Sequence, residues 1–134
     1  MGVAVNLNQV TLPATDLGRS VAFYERIGLT LIVDSLPRYA RLECPDGGAT
    51  LSLHRAQQCT PDSGVTIYFE CNDLDVLVEA LSAAGVVFEH GPIDQAWLWR
   101  EARLRDPDGN MLCLFSAGDK RRFPPWRINR EPRG

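Results

Sequence analysis

Polar and ionisable side chains recur at every second position in two segments of this sequence, and that spacing places side chains on one face of a β-strand. In segments 49–54 and 97–105, the residues on this face include Ser52, His54, Trp99, Glu101 and Arg103. His54 or Glu101 can serve as a general base towards a carbon acid or an epoxide, and Arg103 can stabilise the negative charge that develops. The pattern therefore predicts a site for acid–base chemistry or for ligand binding.

An internal repeat supplies the elements that position these side chains. Residues 9–17 align without gaps on residues 66–74, and Gly28 then matches Gly85. A turn and a strand follow in each half. A period near half the chain length predicts two copies of one supersecondary unit. Two such copies that face each other enclose a space in which a ligand can bind.

Each copy is predicted to contain a strand, a helix and three further strands. Alternating apolar residues predict the strands, and apolar residues at helical spacing predict the helices. Thr15 or Asp16 caps the first helix, and Asn72 or Asp73 caps the second. The predicted strands cover residues 9–14, 29–33, 39–43, 49–54, 65–71, 86–89, 97–105 and 110–116. Residues 91–92 are predicted to connect two of these strands.

The composition limits the classes of protein to which the chain can belong. Its 134 residues fit one domain, and its net charge is -3. No apolar run is long enough to cross a membrane and no secretory signal is recognised, so the expected location is the cytoplasm. The four cysteines form no C-x-x-C pair, which favours reduced structural thiols over a zinc site or a disulfide framework.

The C-terminal segment 118–134 differs from the acidic remainder of the chain because it holds six basic residues and two acidic ones. Its Phe123-Pro-Pro-Trp126 sequence is typical of an anchor that packs in a groove. We therefore expect this basic tail to dock on the body of its own chain or of a sister subunit. Nucleic-acid binding is not expected.

Longer motifs occur in a characteristic order along the chain. They are Val10-Thr-Leu-x-x-Thr-Asp-Leu with Ser20-x-x-Phe-Tyr24, Phe69-Glu-x-x-Asp-Leu74, and Asp106-Pro-Asp-Gly-Asn110. Together they resemble the vicinal oxygen chelate superfamily, which includes glyoxalase I, extradiol dioxygenases and the fosfomycin- and bleomycin-resistance proteins. The resemblance implies an α+β fold of two βαβββ modules, at about residues 5–57 and 64–117, whose curved mixed sheets enclose a cleft. It also implies a homodimer that can exchange modules.

Metal-dependent members of that superfamily place ligands at four equivalent positions on the first and last strands of the modules, typically His, Gln and Glu. The resemblance places Gln9, Ser52, Thr66 and Cys113 at these positions. Only Gln9 is a ligand type found there, because hydroxyl groups bind divalent metals poorly compared with imidazole and carboxylate. We therefore expect no metal cofactor. The alternative is a displaced site for Fe, Ni, Mn or Zn that is formed by Gln9, His54 and Glu101.

Three functions of different classes remain open. The first is a protein that binds a small molecule in the cleft without the usual metal triad, like the bleomycin-resistance members. Its predicted ligand contacts are Gln9, Tyr39, Ser52, Thr66, Tyr68, Trp99, Arg103 and Cys113. The second is an enzyme of the lyase, isomerase or dioxygenase type in which His54 and Glu101 catalyse, either without metal or with the displaced metal. In the third, the cleft is vestigial and the basic tail contacts another protein.

Overall fold

The computed structural model describes residues 2–61 and 63–129 and consists of two βαβββ modules. The first module contains β1 (Gln9–Ala14), α1 (Leu17–Arg26), β2 (Thr30–Ser35), β3 (Tyr39–Glu43) and β4 (Thr50–Arg55). The second contains β5 (Thr66–Glu70), α2 (Leu74–Ala83), β6 (Phe88–Asp94), β7 (Arg100–Arg105) and β8 (Met111–Ser116), with a 3-10 turn at Gly118–Lys120. The predicted α+β class and two-module architecture are confirmed. No helix in the described ranges is long and apolar enough to span a membrane.

Both helices start and stop where the repeat predicts. Asp16 and Asp73 are the N-caps, and each carboxylate accepts a hydrogen bond from the backbone N–H three residues further on. Gly28 and Gly85 follow the helices with φ of 115° and 93°, a left-handed conformation that residues with a Cβ disfavour. The apolar stripe of each helix packs on its sheet, so each module buries one face of its sheet.

Each module forms a four-stranded mixed sheet in which the first strand lies beside the last. The strand orders are β1-β4-β3-β2 and β5-β8-β7-β6, with the β1–β4 and β5–β8 pairs parallel and the other pairs antiparallel. The buried side chains on the helix-facing side include Leu12, Ala40, Leu42, Leu51, Leu53, Ala102, Leu104, Leu112 and Leu114. Because strand side chains alternate, the polar and aromatic residues lie on the opposite side, which we call the cleft face.

Two predicted boundaries in the second module are wrong. The predicted connection at residues 91–92 lies inside β6, and residues 97–99 precede β7 instead of belonging to it. β6 is an edge strand whose register against β7 shifts twice, and an edge or a bulge tolerates Pro92 because no ladder hydrogen bond is lost there. Leu98 has a φ of 70°, so the chain turns at this residue and β7 begins at Arg100.

The turn between β7 and β8 joins the two modules. The Asp108 carboxylate accepts hydrogen bonds from the backbone N–H (3.1 Å) and the hydroxyl (2.7 Å) of Thr15, which precedes α1. The Tyr24 hydroxyl donates to Asp106 Oδ2 over 2.6 Å in a buried environment. Asp106 also accepts from the backbone N–H groups of Asp108 and Asn110 and from the Asn110 amide. The buried Asp106 carboxylate therefore stabilises its own turn and also the contact between the two modules.

Candidate functional site

Glu101 lies on the cleft face of the second module and is only 1% exposed. The Trp97 indole N–H donates to Glu101 Oε2 over 2.8 Å, and Arg103 Nη2 donates to Glu101 Oε1 over 3.4 Å. Burial of a carboxylate is costly unless such donors compensate it. Both carboxylate oxygens are therefore held in place, and Glu101 can in turn orient Arg103, which remains partly exposed.

Cys113 lies on β8, opposite Arg103 in register and close to Glu101. The thiol is fully buried. Burial first, and the neighbouring Glu101 carboxylate second, raise the pKa of Cys113 to about 12. Without a bound metal, the group is therefore a protonated thiol at neutral pH and a weak nucleophile.

Three aromatic side chains form a cluster on the same face. The rings of Trp99 and Phe115 are stacked, with centroids 4.5 Å apart and an interplanar angle of 16°. Tyr68 meets these two rings edge-on, at centroid distances of 6.0 and 5.8 Å. Phe115 is buried, whereas Tyr68 is 49% exposed and Trp99 is partly exposed. The cluster therefore keeps accessible aromatic surface on which a ligand can stack.

Tyr39, Arg41 and Ser52 form a second cluster, on the cleft face of the first module. Tyr39 Oη lies 2.6 Å from Ser52 Oγ, and Arg41 Nε donates to Tyr39 Oη over 3.0 Å. β3 places Tyr39 and Arg41 on one face, and β4 places Ser52 opposite Arg41 in register. Ser52 is fully buried, whereas Tyr39 and Arg41 are partly exposed on this face of the sheet.

The clusters of the two modules occupy equivalent positions in the repeat. The sequence Ala-Arg-Leu occurs in both β3 and β7, and its arginine pairs in register with Ser52 in one module and with Cys113 in the other. Tyr39 thus stands where the second module has Glu101. Arg41 is missing from the set of site residues predicted from the sequence, and the repeated Ala-Arg-Leu is the signal that identifies it.

The other predicted site residues lie at the margins of these clusters. His54 is exposed at the end of β4 and pairs in register with Tyr39. Gln9 and Thr66, together with Tyr68, line a groove of about 490 Å³ between the two modules. The structure therefore groups Glu101, Arg103, Cys113 and the aromatic rings, groups Tyr39 with Ser52, and leaves Gln9, Thr66 and His54 outside both groups.

The donor groups at the four equivalent positions do not fit a divalent metal. Gln9 Oε1 accepts from Thr50 Oγ1 over 2.9 Å, the Ser52 hydroxyl is buried in a hydrogen bond, Thr66 offers only a hydroxyl, and the Cys113 thiol is fully buried. Within residues 2–61 and 63–129, no three His, Cys, Asp or Glu side chains are grouped so that they could hold an ion. The displaced site is also a poor fit, because Gln9 pairs in register with Thr50 at the start of β4, whereas His54 lies near the end of that strand.

Comparison with known proteins decides the family. Residues 6–114 match the model of the Glyoxalase/Bleomycin resistance protein/Dioxygenase superfamily. The chain belongs to this superfamily. An uncharacterized protein of Mycolicibacterium smegmatis is 31% identical over 111 residues, which cover 82% of this chain and 92% of the relative.

Solved structures of the superfamily share the fold. The crystal structure of a glyoxalase/bleomycin resistance protein/dioxygenase from Nocardioides has a TM-score of 0.76 and 25% identity, covering 96% of this chain and 93% of its own. The crystal structure of a bleomycin-binding protein complexed with bleomycin has a TM-score of 0.70 and 24% identity, covering 84% of this chain and 98% of its own. The likeness to the bleomycin-binding protein shows a shared fold and nothing further.

The basic tail of this superfamily member contacts its own body through an ion pair, in which Arg121 Nε lies 4.0 Å from Glu70 Oε1. Within the tail, the Arg127 guanidinium lies 4.4 Å from the centroid of the Phe123 ring. Residues 130–134, the last part of the predicted tail, lie outside the described residues.

Proposed function

We propose that this protein binds an organic small molecule in the cleft, without the metal triad of the superfamily. The observation that carries this proposal is the composition of the cleft face of the second module. Trp99 and Tyr68 offer partly exposed rings there, and Arg103 offers a charged donor on the same face. Ligand sites typically combine apolar surface with a few well-placed polar groups of this kind.

The residues at the four equivalent positions support the metal-independent part of the proposal. Ser52 and Cys113 are fully buried, and Gln9 is hydrogen-bonded to its neighbour on β4. Recognition of the ligand would then depend on side chains beside these positions. The bleomycin-binding protein has the same fold, and its crystal structure is a complex with bleomycin. We take from it only the class of function, which is the binding of an organic molecule.

A homodimer is part of the proposal. The side chains of Val3, Val5 and Leu7, in the segment before β1, are at least 90% exposed. They occupy every second position of the sequence, so pairing of this segment with a strand edge would place all three on one side. Contiguous exposed apolar surface is typical of a protein–protein interface, and a second copy of the chain is the partner we propose for it.

An acid–base enzyme is the second candidate, and the burial of Glu101 favours it. Ionisable groups withdrawn from water on a cleft surface are frequent in active sites. Glu101 would accept a proton from the bound molecule, and Arg103 would stabilise the anion that forms. His54 would be a less enclosed base, because it is exposed at the end of its strand. Chemical turnover of a ligand found by screening distinguishes the enzyme from the binding protein.

Trp99→Ala tests the proposed function. A thermal-shift screen of organic compounds on the wild-type protein identifies a ligand, and calorimetric titration then measures its affinity. We expect Trp99→Ala to weaken binding roughly ten-fold, because the stacking surface beside Tyr68 is lost. Trp126→Ala removes a 59% exposed tryptophan from the tail and is the matched control. Unchanged affinity in Trp99→Ala, or the same loss in both variants, would contradict the assignment of the site.

A further inference from the structure

The arginine on the cleft face of the first module is paired differently from its equivalent in the second module. Arg103 donates to the Glu101 carboxylate, whereas Arg41 donates to the Tyr39 hydroxyl. Within residues 2–61 and 63–129, the hydrogen-bond partners of Arg41 are the neutral hydroxyls of Tyr39 and Ser52. Both modules therefore contain an arginine at this position. Its partner is the Glu101 carboxylate in the second module and the Tyr39 phenol in the first.

The first-module cluster has more hydrogen-bond donors than acceptors. A guanidinium has several N–H donors and no acceptor, and each hydroxyl adds one O–H. Arg41 Nε already donates to Tyr39, which leaves its terminal N–H groups for other partners. If the buried Ser52 donates to Tyr39, the O–H of the partly exposed Tyr39 is free to donate to a further acceptor. An acceptor with negative charge matches this arrangement of donors.

We propose that Arg41, Tyr39 and Ser52 form a binding site for an anionic oxygen of the ligand, from a carboxylate or a phosphate group. This site rests on the proposed function, which places the ligand in the cleft. The planar guanidinium suits both groups, because each presents two oxygens to it. The Ser52 hydrogen bond, assisted by Arg41, also lowers the pKa of the Tyr39 phenol.

The test uses the full chain labelled with ¹³C at the tyrosine Cζ atoms and observed by NMR. Tyr24, Tyr39 and Tyr68 are the three tyrosines of the sequence, and each gives its own signal. Sodium benzoate and inorganic phosphate are titrated separately at constant ionic strength. We expect the Tyr39 signal to shift saturably with at least one anion. Arg41→Gln is expected to bind roughly ten-fold more weakly or worse, because a charged hydrogen bond is lost.

Arg26→Gln is the matched control, since it removes the same charge from the exposed surface of α1 and should bind like the wild type. A Tyr39 signal that responds to neither anion overturns the proposal, and so does wild-type binding by Arg41→Gln. If Arg41→Gln loses the native signals of Tyr24 and Tyr68, the variant has not folded, and anion binding is then tested with Arg41→Lys. Weaker binding by this variant supports the site, because lysine lacks the planar fork, and unchanged binding overturns it.

Comparison of benzoate with phosphate also shows whether the site prefers a carboxylate or a phosphate group of the ligand. Saturation at lower benzoate concentration supports a carboxylate ligand, and saturation at lower phosphate concentration supports a phosphate ligand. Trp99 belongs to the aromatic cluster of the second module and not to the anion site. The proposed function and the anion site can therefore be contradicted by different results. Anion binding at Tyr39, with no screened ligand sensitive to Trp99→Ala, would overturn the proposed function and keep the anion site.

Discussion

Asp106→Ala is expected to lower the free energy of unfolding by roughly 3 to 4 kcal/mol, because one buried carboxylate serves both its own turn and the neighbouring module. It accepts hydrogen bonds from the Tyr24 hydroxyl and from the backbone and amide of Asn110. Truncation leaves the Tyr24 hydroxyl buried without its acceptor. Equilibrium urea unfolding at neutral pH measures the loss.

Asp46→Ala is the matched control for this prediction. Asp46 lies in the equivalent turn of the first module and is exposed, so its removal should change the free energy of unfolding by less than about 0.5 kcal/mol. Equal losses in the two variants would contradict the role of Asp106 as the link between the modules. A loss below about 1 kcal/mol in Asp106→Ala would contradict it as well.

Glu101→Ala is expected to cost about 2 kcal/mol of unfolding free energy, because it removes a buried carboxylate that accepts a charged hydrogen bond from the partly exposed Arg103. The Trp97 indole N–H and the Arg103 guanidinium would lose their shared acceptor. Glu101→Gln keeps the side-chain volume and an oxygen that can accept from Trp97, so its cost should be only about 1 kcal/mol. Urea unfolding measures both variants.

Glu101→Gln also separates the structural role of this residue from its role in binding. With the fold intact, affinity for a screened ligand is expected to fall roughly ten-fold, because Arg103 loses the carboxylate that orients it. Glu43→Gln changes an exposed glutamate of β3 in the same way and should resemble the wild type in stability and affinity. Wild-type affinity in Glu101→Gln would contradict a role for the Glu101–Arg103 pair in the site.

Local patterns in the sequence were sufficient to predict the helices and most strands, because they act over a few residues, whereas the arrangement of the sheets came from the resemblance to the superfamily. Asp16 and Asp73 cap helices through contacts three residues away, and Gly28 and Gly85 end them through their own backbone conformation. Strict alternation assigned the strand faces, since one face of each sheet is covered by a helix. The repeat then extended the assignment from one module to the other.

The parts of the site that escaped prediction depend on contacts between distant or irregular segments. The sequence placed Glu101 on the cleft face but did not show that it is 1% exposed. The hydrogen bond from Trp97 to Glu101 spans the turn at Leu98, and no local pattern predicted it. The contact between Tyr24 and Asp106 spans 82 residues and has no local signal. Arg41 had a signal in the repeat, but its neutral partners became evident only from the hydrogen bonds.

The central claim is that a small molecule binds in the cleft without a metal. Calorimetric affinity for a screened ligand, measured before and after treatment with a chelator, tests this claim most directly. The protein is purified without a histidine tag, and elemental analysis of the same samples gives its metal content. We predict far less than one metal ion per subunit and the same affinity in both samples. About one Fe, Ni, Mn or Zn per subunit, with affinity lost after chelation, would contradict the claim.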